Sequence, residues 1–180
     1  MDLQDFDAQG LYFEKPMSAE VENLLATASD AYAEGRAEPL LLQAFLLAPQ
    51  NLTVLVAMYR FYYYQHRYRD AIDVAHRAMA AVAPDIYFPD EWAEINATNL
   101  ANGVAQSFTL VRFYLLALKG AAYLHLRLGE IESGVRMLNK VMELDVKDRL
   151  GAGALLRAMT PTALAARPGG AVLEVAASSV

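Results

Sequence analysis

The sequence predicts an all-α fold, and three observations carry that prediction. Alanine and leucine dominate while β-branched residues are sparse, so summed helix propensity is high from about Ser18 to Met159. A pattern of aromatic, small and proline positions recurs along the chain, with a period of about 34 residues in its best-formed units. The 180-residue chain is 56% hydrophobic and 20% charged, the balance of a folded globular protein with room for one core.

In chain order, residues 1–17 form an acidic arm in which Phe6, Leu11, Tyr12 and Phe13 precede Pro16. Apolar residues in such an arm are expected to fold back onto the body or onto a second copy of it. Residues 18–51 read as a first helix pair, with Gly35 near the turn and QAFLLAPQN closing the second helix. Residues 52–85 form the clearest unit, carrying Tyr62, Tyr68, Ala71, Ile72, Ala75, Ala78 and then Pro84. Two antiparallel helices approach closely only where side chains are small, which is the use of Ala71 and Ala78, and the aromatics fill the space beside them.

Residues 86–114 are extra sequence, longer than an ordinary turn, and insertions of this kind carry specificity. Pro84 and Pro89 bracket a loop, after which Asp90 is expected to cap a helix with Glu91 and Glu94 in its first turn. That helix should run to Asn102 and stop at Gly103. Asn96, Asn99 and Asn102 fall on one face, either as a solvated stripe or as groups able to bond an extended peptide. Residues 115–148 form a further helix pair. Gly129 is at its turn, Ile131 stands at the turn aromatic's place, Gly134 takes the small position, and Leu138, Val141 and Leu144 are the apolar stripe. Residues 149–159 are expected to make a capping helix ended by Pro161, and residues 161–180, rich in Ala, Gly and Ser, a flexible tail.

The spacing of Tyr62, Tyr68, Ala71 and Ala78, with Pro84 one residue late, resembles the tetratricopeptide repeat. The unit around Gly129 resembles it too, with Val146 where proline is usual, and the unit ending at Asn51 is a shortened version. The likeness spans roughly Ser18 to Asp148 and departs at Tyr59 and His66, where the family usually has glycine. It implies a right-handed superhelix of antiparallel helix pairs, about three repeats with an insertion and a C-terminal capping helix, as in a small bacterial tetratricopeptide protein. It also implies a concave face that holds peptides. The matching positions are Glu22, Leu25, Ser29 and Tyr32 in the first unit, and Val56, Arg60, Tyr63, Tyr64 and Arg67 in the second. In the third they are Leu116, Lys119, Tyr123, Leu126 and Arg127.

On that register the partner-binding residues are Arg60, Tyr63, Tyr64, Arg67, Lys119, Tyr123 and Arg127, a tyrosine-lined and locally basic groove. Phe61, Tyr62 and Tyr68 are expected to turn toward packing. Tyrosine gives contact area at low entropic cost and arginine pairs with carboxylates, so the expected ligand is a protein or peptide with apolar and acidic groups. The alternative is that the tyrosines only fill the joint between repeats while the basic residues pair with nearby acids. The asparagines of the carboxylate clamp in chaperone-binding tetratricopeptide proteins are missing from the matching places.

Other readings are narrowed by composition. A net charge of -6 disfavours a general grip on nucleic acid, and the absence of cysteine excludes disulfides and thiolate chemistry. No apolar run approaches the ~20 residues of a membrane span. The start has three acids and no basic region of a signal peptide, so a cytoplasmic location is expected. His66, His76 and His125 lack metal-ligand spacing, and no phosphate loop or nucleophile elbow is present, so neither an enzyme nor a cofactor is expected. The expected role is an adaptor or chaperone-like module, with self-association as a homodimer the alternative. Size and repeat number are similar to helical chaperones of type III secretion substrates, although the insertion is foreign to them. The stretches LYFEKP and YYYQHR resemble those of small tetratricopeptide proteins accompanying bacterial nitrogen-fixation systems.

Overall fold

The structure, a computed structural model, describes residues 17–33 and 35–165, with side chains as far as residue 159. Among the described residues there are seven α-helices and no strand: α1 Ala19–Asp30, α2 Ala37–Leu47, α3 Leu52–Tyr64, α4 Tyr68–Val82, α5 Ala97–Arg127, α6 Ile131–Leu144 and α7 Ala152–Ala165. The all-α expectation is met. Residues 1–16 of the arm and 166–180 of the tail lie outside the described residues.

Local chemistry sets the helix starts. The Ser18 hydroxyl accepts from the Val21 amide at 3.3 Å, and the Asn51 side chain accepts from Thr53 and Val54 at 3.0 and 3.2 Å. Each satisfies amides that a helix start leaves without partners.

Three helix hairpins, α1–α2, α3–α4 and the C-terminal part of α5 with α6, turn in the same way. Gly35, His66 and Gly129 have φ of 69°, 58° and 78°. The next amide then bonds a carbonyl five residues back: Arg36 to Ala31 at 3.2 Å, Arg67 to Tyr62 at 2.9 Å, Glu130 to His125 at 2.9 Å. This is the Schellman closure, which needs a left-handed residue at that place. His66 adopts it where glycine is the easier choice, and its imidazole Nδ1 sits 2.9 Å from the Tyr68 hydroxyl.

Packing between helices follows the small residues. Ala71, Ala75 and Ala78 are buried on α4, and Gly134 occupies the place on α6 that Ala71 has on α4. A Cβ on Gly134 would lie 2.6 Å from Leu126 Cγ and 2.8 Å from the Ala122 carbonyl. Tyr59 is fully buried, and a Cβ on Gly120 of α5 would stand 2.8 Å from its hydroxyl. The bulk that Tyr59 adds on α3 is thus accommodated by a glycine on the neighbouring helix.

Successive hairpins are joined by equivalent polar ties. Between the first and second, Arg67 contacts Glu38 at 2.6 Å and the Tyr62 hydroxyl donates to the same carboxylate at 3.3 Å. Between the second and third, Arg69 contacts Glu130 at 2.8 Å, while His125, on the same hairpin as Glu130, lies 2.5 Å from that carboxylate. Counted from the turn residues Gly35, His66 and Gly129, Glu38 matches Arg69, Arg67 matches Glu130, and Tyr62 matches His125. The tie recurs with its charges exchanged.

The insertion differs from its expected form. Asp90 caps no helix; a 3-10 turn covers Ala83–Ile86, another covers Trp92–Glu94, and α5 begins at Ala97. Asn96 is its N-cap, accepting from the Thr98 and Asn99 amides, while Asn99 accepts from the Asn96 amide. Two of the three asparagines therefore close a capping box. Gly103 does not end the helix. It is buried because a Cβ there would come within 2.8 Å of Phe88 and 3.1 Å of the Ile86 carbonyl. The break falls at Ser107, whose φ of -159° and ψ of 103° are extended and whose hydroxyl accepts from the Leu110 amide at 3.2 Å. α5 is thus two limbs, with Ser107 capping the second.

At the far end, α7 begins at Ala152, later than expected, after Asp148 accepts from the Gly153 amide at 2.9 Å. Pro161 does not end it, since the helix continues to Ala165. One proline removes a single helical hydrogen bond, and the surrounding alanines and leucine have the helix propensity to offset that. α7 packs on α6 and α5. None of the helices among the described residues is long and apolar enough to cross a membrane.

Candidate functional site

The positions expected to share one groove separate into two settings, with two residues outside both. Tyr63, Tyr123 and Arg127 come together. The Tyr63 ring stacks on Tyr123 at 6.4 Å between centroids and on Tyr59 at 6.3 Å, and meets Tyr64 edge-on at 5.5 Å. Arg127 donates to the Tyr123 hydroxyl at 2.7 Å and to the Tyr68 hydroxyl at 2.9 Å, and its guanidinium lies 5.1 Å from the Tyr68 ring centre. The bond to Tyr123 leads the effects that hold the Arg127 guanidinium still more firmly protonated than usual. Such a cluster offers aromatic faces and a cation whose donors are already aimed.

Arg60 and Tyr64 belong to a second setting. With Leu25, Tyr32, Leu41 and Phe61 they line an open groove of ≈ 450 Å³ between α1 and α3. Tyr64 is 58% exposed and Tyr32 is 38% exposed, so the groove presents phenol rings to solvent. Helical phase places these residues: Ala57, Arg60 and Tyr64 are spaced by three and four along α3 and share a face.

Arg67 and Lys119 do not join either setting, and the burial of Lys119 corrects the expected site. Arg67 is held by Glu38 and by Asp70, 2.8 Å from its Nε, while its guanidinium covers the Tyr62 ring at 4.5 Å. Those carboxylate bonds raise its pKa further, and burial raises that of Tyr62. The alternative reading, basic residues paired with nearby acids, holds for this arginine. Lys119 is buried, with 7% exposure, and its ammonium donates to the Leu150 carbonyl at 2.7 Å, fastening the segment before α7. Val56, Leu116 and Leu126, placed on the concave face by register, are buried as well. Phe61 and Tyr62 turn inward as expected, and Tyr68 is partly buried.

One feature escaped the sequence reading. Leu100 and Val104 of the first limb of α5, Phe108, Val111, Arg112 and Leu115 of the second, and residues 144–147, 149 and 150 enclose a cleft of ≈ 540 Å³. The cleft spans the break at Ser107, with lining residues from both limbs. Its local sign was the serine three residues before Leu110, a helix-cap spacing in an otherwise continuous helical pattern.

No family model matches the chain, and no solved structure matches it. A curated relative from Azotobacter chroococcum mcd 1, described as an uncharacterized 19.8 kDa protein in the nifW 5' region, is 53% identical over 156 residues, 87% of each chain. At that identity and coverage, the chain belongs to the same family as this 19.8 kDa Azotobacter protein.

Proposed function

We propose that the chain is a protein-binding module, adaptor or chaperone-like, and not an enzyme. Its hairpins stack as a tetratricopeptide-type right-handed superhelix and hold a peptide against their first helices. The observation that carries the reading is the open groove between α1 and α3, where Tyr32 and Tyr64 face solvent beside Arg60. The recurring Schellman turns and the repeated polar tie between hairpins support the repeat assignment, because stacked equivalent units share equivalent contacts. Tyr63, Tyr123 and Arg127 extend the aromatic surface beyond Tyr64. The partner chemistry that fits is an apolar anchor with a carboxylate beside it, and the working location is the cytoplasm.

A photo-crosslinking residue in place of Tyr64, with one at exposed Glu143 as control, tests this in the native host. Capture of a defined partner from position 64 alone, weakened by Arg60→Ala, supports the groove. Crosslinks only between copies of the chain would replace it with self-association, and equal capture from both positions would defeat it.

A second reading rests on the relative's location in the nifW 5' region. On that basis we propose an accessory role in a nitrogen-fixation system. Partner capture should then depend on growth under nitrogen-fixing conditions, and equal capture from ammonium-grown cells would count against it.

A further inference from the structure

The cleft at the break in α5 has a chemistry of its own. Its apolar lining comes from Leu100, Val104, Phe108, Leu115 and Leu150, and the exposed Arg112, Lys147 and Arg149 line it as well. Asp145 is the acid among its lining residues, and that carboxylate accepts the Leu150 amide at 2.7 Å. A chain of net charge -6 therefore carries a locally basic, apolar cleft. It is separate from the aromatic site: Val111 and Tyr123 lie on one helical limb, about 18 Å apart along its axis.

The exposure pattern indicates the size of the occupant. Phe108 is 60% exposed and Val146 is 88% exposed, both projecting beyond the cleft. A small molecule seated inside would leave these side chains in water, while a helix laid across the mouth covers them together with the cleft. Charge selects among helices. A second copy placed cleft against cleft would bring like-charged linings together, which costs affinity, whereas acidic side chains meet Arg112, Lys147 and Arg149 favourably.

We propose that this cleft is a second docking site, built by the insertion, for an amphipathic partner helix whose apolar stripe is flanked by acidic residues. The inference is independent of what occupies the groove between α1 and α3.

The test uses the full chain and two short fluorescein-labelled helical peptides. One has a leucine stripe flanked by glutamate; in the other every glutamate is lysine. The acidic peptide is expected to bind saturably and more weakly as salt rises, and the basic peptide to bind at least about tenfold more weakly. Phe108→Ser with Val146→Ser should abolish binding, and Lys147→Glu should weaken it by roughly tenfold. Both replaced apolar side chains are largely in water, so the melting temperature reports whether the fold persists. Leu46→Ser, at a side chain of α2 that is 78% exposed and lines neither groove, should bind the acidic peptide as the unaltered chain does. Equal binding of the two peptides, no saturable binding, or cleft variants that bind normally would overturn the proposal. So would loss of binding in Tyr64→Ser, which would move the contact to the other groove. A dimer that Phe108→Ser dissociates would name a second copy as the occupant and also overturn it.

Discussion

The Arg69 guanidinium lies 2.8 Å from the Glu130 carboxylate across the second and third hairpins, and it repeats with opposite signs the pairing of Glu38 with Arg67. The two interfaces each set an acid against a base at matched positions, with the signs exchanged. Opposite polarity at the two joints disfavours hairpins stacking in the wrong order, since a mispaired joint would set like charges together.

Charge reversal makes this testable. Glu38→Arg should lower the urea midpoint by an amount equivalent to about 1 kcal/mol, because the pair is partly exposed and the variant adds repulsion. The double variant Glu38→Arg, Arg67→Glu should recover most of the loss. Additive losses in the double variant would mean that the two charges do not act as a pair.

Gly120 tests the fit between α3 and α5. Gly120→Ala gains about 1 kcal/mol of helix propensity but pushes a methyl against the Tyr59 hydroxyl, an overpacking cost of roughly 1–3 kcal/mol. A net loss of stability is expected. Adding Tyr59→Phe should make the alanine less costly, and a double-mutant cycle with no coupling would reject the contact.

Lys119 is expected to act on stability and not on ligand binding. Lys119→Met removes the donor to the Leu150 carbonyl and should cost about 1–3 kcal/mol in urea unfolding. Partner capture through position 64 should persist in buffer where the variant is folded. Loss of capture with unchanged stability would restore Lys119 to the binding surface.

Acidification should destabilise the chain in two ranges. Burial, and next the nearby His125, lower the His76 pKa from the ordinary 6.5. The unfolded chain then takes up that proton first, so stability present above 6.5 declines as pH falls toward the lower folded value. The His125 bond, and then Arg69, hold the Glu130 carboxyl below its ordinary 4.5. Its contribution is present above 4.5 and is lost as pH falls through the folded value. The His76 side chain is exposed despite the apolar surroundings that lower its pKa, and Glu130 is partly exposed, so both effects should be small. Melting curves should show His76→Asn flattening the upper range and Glu130→Gln the lower; unchanged pH profiles would remove these groups as the cause.

The sequence by itself determined the helices outside the insertion and the last one, the places of the hairpin turns and the small residues at their contacts. Those depend on local propensity, on left-handed turn residues such as Gly35 and Gly129, and on the spacing of Ala71 and Ala78, all contained within a few helical turns. It also put Tyr63, Tyr123 and Arg127 on one expected face, and their side chains do come together. What only the tertiary structure decided was which polar groups are spoken for. Lys119 meets the Leu150 carbonyl and Arg67 meets Glu38, across long separations in the chain. The break at Ser107 is of the same kind. A serine within an otherwise helical pattern is compatible with either a continuous helix or a cap, and the packing of Gly103 against Phe88 holds the first limb of α5 beside that break. The cleft is lined from both sides of that break and by the segment after α6, which a local helical pattern does not bring together.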